Sequence, residues 1–213
     1  DKHKAIDVGD EPLMLSQYGP VYIGKNRFIS AQSAYADLGE AIVLLDDGLQ
    51  NYSLKKDLSI VVVDGSIGFG NLKVFPAGPL RMPLRKAFTD VHMVIIIGED
   101  EYGVEQIIPP HIKIIKTKVI AQRIPLEIQN KAVMAFAGIA YPKKFFKTLE
   151  SQGIVPKKFI EYPDHYQFND ADLHYLSLCL KDYNLITTEK DWVRLPVDMR
   201  EKIYYLPINL EIH

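Results

Sequence analysis

The sequence is short of the features that would classify it quickly, and each shortage removes a class. A single cysteine, Cys179, in 213 residues excludes an internal disulfide framework. It falls among Leu173, Leu176, Leu178 and Leu180, which marks it as core filling rather than as a nucleophile or ligand. No apolar run approaches the roughly 18 to 20 residues of a membrane-spanning helix, and the first residues do not read as a signal peptide, so the expected compartment is the cytoplasm. A formal net charge of -2 supplies no basic excess, and no nucleic-acid partner is expected. Repeats, heptads and low-complexity runs are missing too. What remains, with 47% hydrophobic and 24% charged residues, is a globular chain large enough for one or two cored domains.

What is present is an alternation of strand-like and helix-like segments. Asp10 is placed to cap a helix over about Glu11 to Tyr18, with Pro12 in its first turn. Val21 to Ile23, Ala41 to Leu45, Leu58 to Val63 and Val91 to Ile97 read as buried strands, and Ala31 to Leu38 as a helix between the first two. Pro76-Ala77-Gly78-Pro79-Leu80-Arg81 cannot be helix interior and leads to a helix start at Pro83. Residues 111–130 are extended and lysine-spaced, the pattern of exposed strands or a hairpin-like linker. The alternation then restarts. Ala132 to Ala137 is a strand, Gly138 a tight turn, Tyr141 to Gln152 a helix stopped by Gly153, and Lys157 to Tyr162 a strand. A helix starts at Asn169-Asp170-Ala171-Asp172 and runs to about Tyr183. A strand from Leu185 enters Glu189-Lys190-Asp191, and Tyr204 to Leu206 is the last strand. The expected fold is α/β with a mostly parallel sheet flanked by helices. It comprises a core lobe over residues 1–110, a linker over 111–130 and a smaller α/β lobe over 131–213.

Polar residues collect at the ends of these strands. The run Ala41 to Leu45 stops at Asp46-Asp47-Gly48, and open α/β sheets bind ligands just beyond the carboxyl ends of their strands. Two carboxylates there suit a hard cation such as Mg²⁺; the plainer reading is a charged strand exit. Asp64, Arg81, Asp164, His165 and Glu189 occupy similar positions. A carboxylate beside an imidazole suits proton transfer near neutral pH, and a loop arginine suits a phosphate. Against these stand a turn histidine at His165, a structural ion pair at Arg81, a plain helix cap at Asp10, and a solvated charge cluster at Glu189-Lys190-Asp191.

Taken in order, Gly9-Asp10-Glu11-Pro12, Asp46-Asp47-Gly48-Leu49-Gln50, Val63-Asp64-Gly65, Pro76-Ala77-Gly78-Pro79-Leu80-Arg81, Phe136-Ala137-Gly138-Ile139, Pro163-Asp164-His165 and Thr187-Thr188-Glu189-Lys190-Asp191 resemble the tetraacyldisaccharide 4'-kinases of lipid A biosynthesis in Gram-negative bacteria. The resemblance covers nearly the whole chain. It implies a P-loop-NTPase-like fold, ATP as co-substrate with Mg²⁺, and an acylated glucosamine disaccharide as acceptor. It also implies peripheral association with the cytoplasmic face of the inner membrane. By the same resemblance, Asp10 and His165 are the catalytic pair and Asp46 and Asp47 the metal-supporting pair. Gln50, Arg81 and Asp164 support substrate or metal.

Two departures qualify that implication. The family's glycine-rich phosphate loop, ending in lysine and Thr or Ser, precedes the segment matching Asp10 and is not found in this sequence. Gly65-Ser66-Ile67-Gly68-Phe69-Gly70 lacks the lysine and the placement, and reads as an ordinary loop. Without the family's loop to cradle the phosphates, the chain is expected to be inactive alone; it also opens on Asp1-Lys2-His3-Lys4 without an initiator methionine, as if within a longer protein. The second departure is Met82, where relatives commonly carry an acidic residue. Two other readings stay open: an Mg²⁺-dependent hydrolase or nucleotide-sugar transferase, and a non-catalytic lipid- or protein-binding module.

Overall fold

The computed structural model describes residues 3, 5–122, 128 and 130–212. Its strands are β1 Ile60–Asp64, β2 Met93–Ile97, β3 Lys113–Ala121, β4 Ala132–Ala137, β5 Lys158–Glu161, β6 Tyr183–Thr188, β7 Tyr204–Leu206 and β8 Ile208–Ile212. They form two four-stranded sheets, ordered β1-β2-β3-β8 and β5-β4-β6-β7. The chain divides into two compact units. One contains Asp1–Val21 and Ala121–Asn209, the other Tyr22–Ile120 and Leu210–His213.

The first unit is a three-layer α/β/α arrangement built around β4, which pairs in parallel with β5 on one side and β6 on the other; β6 pairs in parallel with β7. Side chains of a strand point alternately to opposite faces, and β4 fills both. Val133, Ala135 and Ala137 pack with Phe145, Phe146 and Leu149 of the Pro142–Ser151 helix. Met134 and Phe136 pack with Leu176 of the Asp170–Cys179 helix and with Leu185. Each large buried side chain contributes about 1.5–3 kcal/mol. The Asp170–Cys179 helix starts where the sequence indicates, through a capping box in which Asn169 accepts from the amides of Ala171 and Asp172, and Asp172 accepts from the Asn169 amide. Cys179 lies against the same core.

The strand order fixes where this unit has room for a ligand. From β4 the chain crosses to β5 at one side, and from β6 it crosses to β7 at the other, so connections diverge at the adjacent carboxyl ends of β4 and β6. Such a switch point opens a crevice. Two short helices at the start of the chain belong to the same unit, Ala5–Val8 and Asp10–Leu15. Gly9 between them has φ of 92°, a conformation that side-chain-bearing residues seldom adopt. Asp10 therefore begins the second helix rather than capping it, a correction to the expected helix start, and that helix ends at Leu15 rather than near Tyr18.

In the second unit β1, β2 and β3 are parallel neighbours. One face is closed by Val63, Val94, Ile96, Phe88, Val91, Val104, Ile108 and Ile112. Ile60 and Val62 remain exposed. The Arg27–Leu38 helix is capped by Asn26, which accepts from Phe28 and Ile29 amides.

Three expected elements differ. Ala41 to Leu45 and Val21 to Ile23 form no strand, and Ile42 and Leu44 are 92% and 89% exposed. Apolar, branched composition makes a segment fit for a sheet, but a strand exists only where a neighbour completes its ladder, and no described strand flanks either segment. Of residues 111–130, read as exposed strands or a hairpin-like linker, Lys113–Ala121 form strand β3 within the sheet, and residues 123–127 and 129 lie outside the described residues. Beyond β7, read as the last strand, the chain adds β8.

Candidate active site

At the switch point of the first unit, three loops and the N-terminal helix bring charged side chains together. Gly138 follows β4, Asp164-His165 follows β5, and Glu189–Trp192 is a short helix directly after β6. Its N-terminus is capped by Thr188, whose hydroxyl oxygen accepts from the Asp191 amide. Asp191 is fully buried. Its carboxylate accepts from the Gly138 amide at 2.9 Å, the Thr188 hydroxyl at 2.7 Å and Arg194 Nη1 at 2.9 Å. A Cβ on Gly138 would stand 3.0 Å from Asp191 Oδ1 and 3.2 Å from the Pro163 carbonyl, which explains why this turn is built on glycine.

Arg194 carries the network outward to Asp10. Its side chain is 0% exposed. Nη1 also donates to the Gly138 carbonyl at 3.1 Å, while Nε, at 3.0 Å, and Nη2 both donate to Asp10 Oδ2. His165 Nδ1 lies 3.1 Å from the same oxygen, and Lys190 Nζ lies 3.3 Å from His165 Nε2 and 3.0 Å from Glu11 Oε1. An ammonium has only hydrogens to offer, so the network assigns the lone pair to Nε2 and the imidazole proton to Nδ1, which donates to Asp10. Among the described residues, Asp10 Oδ1 accepts from the neighbouring Glu11 amide, at 3.1 Å.

Burial pushes the Asp10 carboxyl up, but the Arg194 hydrogen bond and charge, with the Lys190 charge behind them, outweigh it and hold the group below the usual aspartate range. Asp10 is therefore an ionised acceptor at neutral pH. Nearby, burial above all, and then the Asp172 charge, push the Tyr162 phenol up to about 12, which removes it from proton exchange near neutrality.

His165 has φ of 56°. Its amide donates to the Gly138 carbonyl at 3.2 Å and to Asp164 Oδ1 at 3.0 Å. A histidine in the left-handed region costs on the order of 1 kcal/mol, and such strain gathers at functional positions. Among the described residues, non-glycine positive φ occurs at Asp47, Leu72 and His165, and two of these are site residues indicated by sequence.

Those sequence-indicated residues fall into two sets. Asp10, Asp164 and His165 gather in the first unit. Asp46, Asp47, Gln50 and Arg81 belong to the second. There Arg81 Nη1 donates to Asp47 Oδ2 at 2.6 Å and to Gln50 Oε1 at 3.4 Å. Gly48 and Leu49 anchor the turn. A Cβ on Gly48 would meet Leu45 Cβ at 2.5 Å, and Leu49 packs against the buried cluster. Asp46 and Asp47 are left exposed. No trio of His, Cys, Asp or Glu among the described residues forms a complete protein cage for a metal.

Lys190 and Asp191 are not the solvated cluster that the sequence suggested: Lys190 is 22% exposed and Asp191 is buried. Arg194 was missed altogether. The available signal was an Asp-x-x-Arg pair set among Trp192, Val193 and Leu195, since i,i+3 partners share a helix face and apolar neighbours imply burial.

Comparison with known proteins matches this architecture. A family model described as tetraacyldisaccharide-1-P 4'-kinase (LpxK) matches residues 1–213. The tetraacyldisaccharide 4'-kinases of Rhodospirillum centenum and Rhodospirillum rubrum are 38% and 40% identical to this chain, over 98% and 94% of it. The chain spans 63% and 62% of their lengths. The crystal structure of "apo" form LpxK from Aquifex aeolicus in complex with ATP superposes on 100% of this chain and 67% of its own, with a TM-score of 0.75 at 23% identity. The shared fold is α/β, with mostly parallel sheets flanked by helices. With the family model matched from the first residue to the last, the chain belongs to the tetraacyldisaccharide-1-P 4'-kinase family.

Proposed function

We propose that these residues serve a kinase that transfers the γ-phosphate of ATP to the 4'-hydroxyl of an acylated glucosamine disaccharide 1-phosphate. The observation that carries this reading is the Asp10–His165 pair at the switch point. Asp10 has one oxygen held by Arg194 and His165, and the other, which accepts from the Glu11 amide, keeps a lone pair for a substrate hydroxyl. In the reaction the 4'-oxygen forms a bond to the γ-phosphorus, the bond from that phosphorus to the β,γ-bridging oxygen breaks, ADP leaves, and the hydroxyl proton passes to Asp10 Oδ1. A carboxylate held below the usual range is a weak base. It suffices where phosphoryl transfer is loose and the nucleophile keeps its proton until late, so the residue acts first by orienting the hydroxyl. His165 donates from Nδ1 to Oδ2 and fixes the rotation of the carboxylate. Asp164 holds the turn that presents the imidazole.

In the second unit, Asp46 and Asp47 have the oxygen donors that suit Mg²⁺, which commonly takes one or two carboxylates alongside phosphate oxygens. When bound, the ion would neutralise charge on the transferring phosphate. Asp46 has no hydrogen bond or ion pair among the described residues and would be the first ligand. Asp47 is shared with Arg81, whose guanidinium, braced by Gln50, would suit a phosphate oxygen. Nucleotide binding also requires a glycine-rich loop with its lysine, which these 213 residues do not contain, so this chain alone is proposed to be inactive. A tetraacylated acceptor favours work at the cytoplasmic face of the inner membrane, by peripheral contact; no described helix is long and apolar enough to cross a membrane.

The test is ATP-dependent phosphorylation of tetraacyldisaccharide 1-phosphate by this chain and by a version extended to its relatives' full length. Product is expected only with the extended protein. Turnover by the chain alone, or none by an extended protein that folds and binds ATP, would overturn the proposal.

A further inference from the structure

We infer that Arg194 is the positioning residue of the site: from a buried seat on Asp191 and the Gly138 carbonyl, it holds Asp10 Oδ2 and leaves Oδ1 as the oxygen that meets the hydroxyl. The inference deepens the proposed function and rests on its assignment of Asp10. Three features of Arg194 carry it. The side chain is wholly buried, yet Nη1 is divided between Asp191 Oδ1 and Gly138 O while Nε and Nη2 converge on a single Asp10 oxygen. A planar guanidinium with fixed donor directions can impose such a geometry; an ammonium, a point charge on a flexible stem, cannot. Asp191 in turn is locked to the ends of β4 and β6 through Gly138 N and the Thr188 hydroxyl. Asp10 belongs to a helix of only six residues, and Arg194 ties its carboxylate to the sheet rather than to that helix.

The charges facing Asp10 are consistent with this role. Arg194, Lys190 and His165 all approach it, with Lys190 Nζ at 3.9 Å. The acids Glu11 and Asp164 are engaged elsewhere, by Lys190 and by the His165 amide. Of these groups, Arg194 donates twice to the carboxylate and contributes most of the pull that keeps it ionised against the cost of burial.

The test has a binding-independent and a kinetic arm. In this chain, the Asp10 side-chain carboxyl is titrated by NMR in the wild type, in Arg194→Lys, and in the double variant Asp191→Asn/Arg194→Met, which removes the buried pair together. Melting followed by Trp192 fluorescence reports whether the unit is folded. The Asp10 midpoint is expected to rise by about one to three pH units in the double variant, and by less in Arg194→Lys. In the extended, active protein both variants are expected to lose at least about tenfold in kcat with KM little changed, the pattern of an interaction felt in the transition state. If the double variant does not fold, Arg194→Lys decides alone: an unshifted midpoint with wild-type kcat overturns the inference. An active Asp10→Asn protein would instead remove the assignment of Asp10 itself. An inactive Asp10→Asn beside a fully active Arg194→Lys would remove only the role given to Arg194.

Discussion

Truncating Asp191 to alanine should unfold the first unit far more readily while leaving the second untouched, and the size of the effect follows from the contacts. The carboxylate is wholly buried and accepts from the Gly138 amide, the Thr188 hydroxyl and Arg194. Without it, Arg194 keeps Asp10 and the Gly138 carbonyl but loses the carboxylate beside Nη1, and the Gly138 amide loses its acceptor. Removing one member of a buried, hydrogen-bonded ion pair costs about 3–5 kcal/mol. With a urea m-value near 2 kcal/mol per molar, the midpoint should fall by roughly 1.5–2.5 M. The assay is favoured by composition: Trp192 is the one tryptophan in the sequence and lies in this unit. Its indole donates to the carbonyls of Arg200 and Ile203, so its fluorescence follows the first unit alone. Asp191→Asn is expected to cost less, about 1–3 kcal/mol, because an amide puts donors against donors on one side only. A midpoint for Asp191→Ala equivalent to less than about 0.5 kcal/mol, the range of an ordinary surface change, would refute the buried network.

Three further outcomes follow from the same geometry. The Asp10 carboxyl is lowered in the folded state, so its contribution to stability is present above the unfolded value of about 4 and is lost as pH falls through the folded value; urea midpoints of wild type and Asp10→Asn should therefore converge below about pH 4. Arg81→Ala breaks an ion pair whose partners are 65% and 61% exposed and should change stability by less than about 1 kcal/mol, while the extended kinase loses turnover; a large loss of stability would make the pair structural. Asn169→Ala removes the cap of the Asp170–Cys179 helix and should cost about 1 kcal/mol by chemical denaturation, with no effect on the Asp10 titration.

Local chemistry was the legible part of the sequence. The helix start at Asn169, the glycine turn at Gly138 and the continuous apolar run of β4 are set by residues a few positions apart, and the structure places them as read. The ordered strand-end motifs also led to the family. Pairing was less legible. Ala41 to Leu45 has the composition of a buried strand, but its state depends on a neighbour, which no local pattern supplies. The same limit hid Arg194. Its partners Asp10 and Gly138 are distant in sequence, so the Asp-x-x-Arg spacing could signal burial but not that the arginine joins two strand ends to the Asp10–Leu15 helix. Lys190 was misread because adjacent charges suggest solvent, whereas the short helix after β6 turns Asp191 inward and Lys190 toward His165.

The account depends most on Asp10 as the group that orients the acceptor hydroxyl and takes its proton. The direct measurement is single-turnover phosphoryl transfer from ATP to tetraacyldisaccharide 1-phosphate by the extended protein, wild type against Asp10→Asn, with both substrates saturating. A fall in rate of about 10²- to 10⁴-fold, with ATP binding retained, is the predicted result. A variant rate within about threefold of wild type would contradict it.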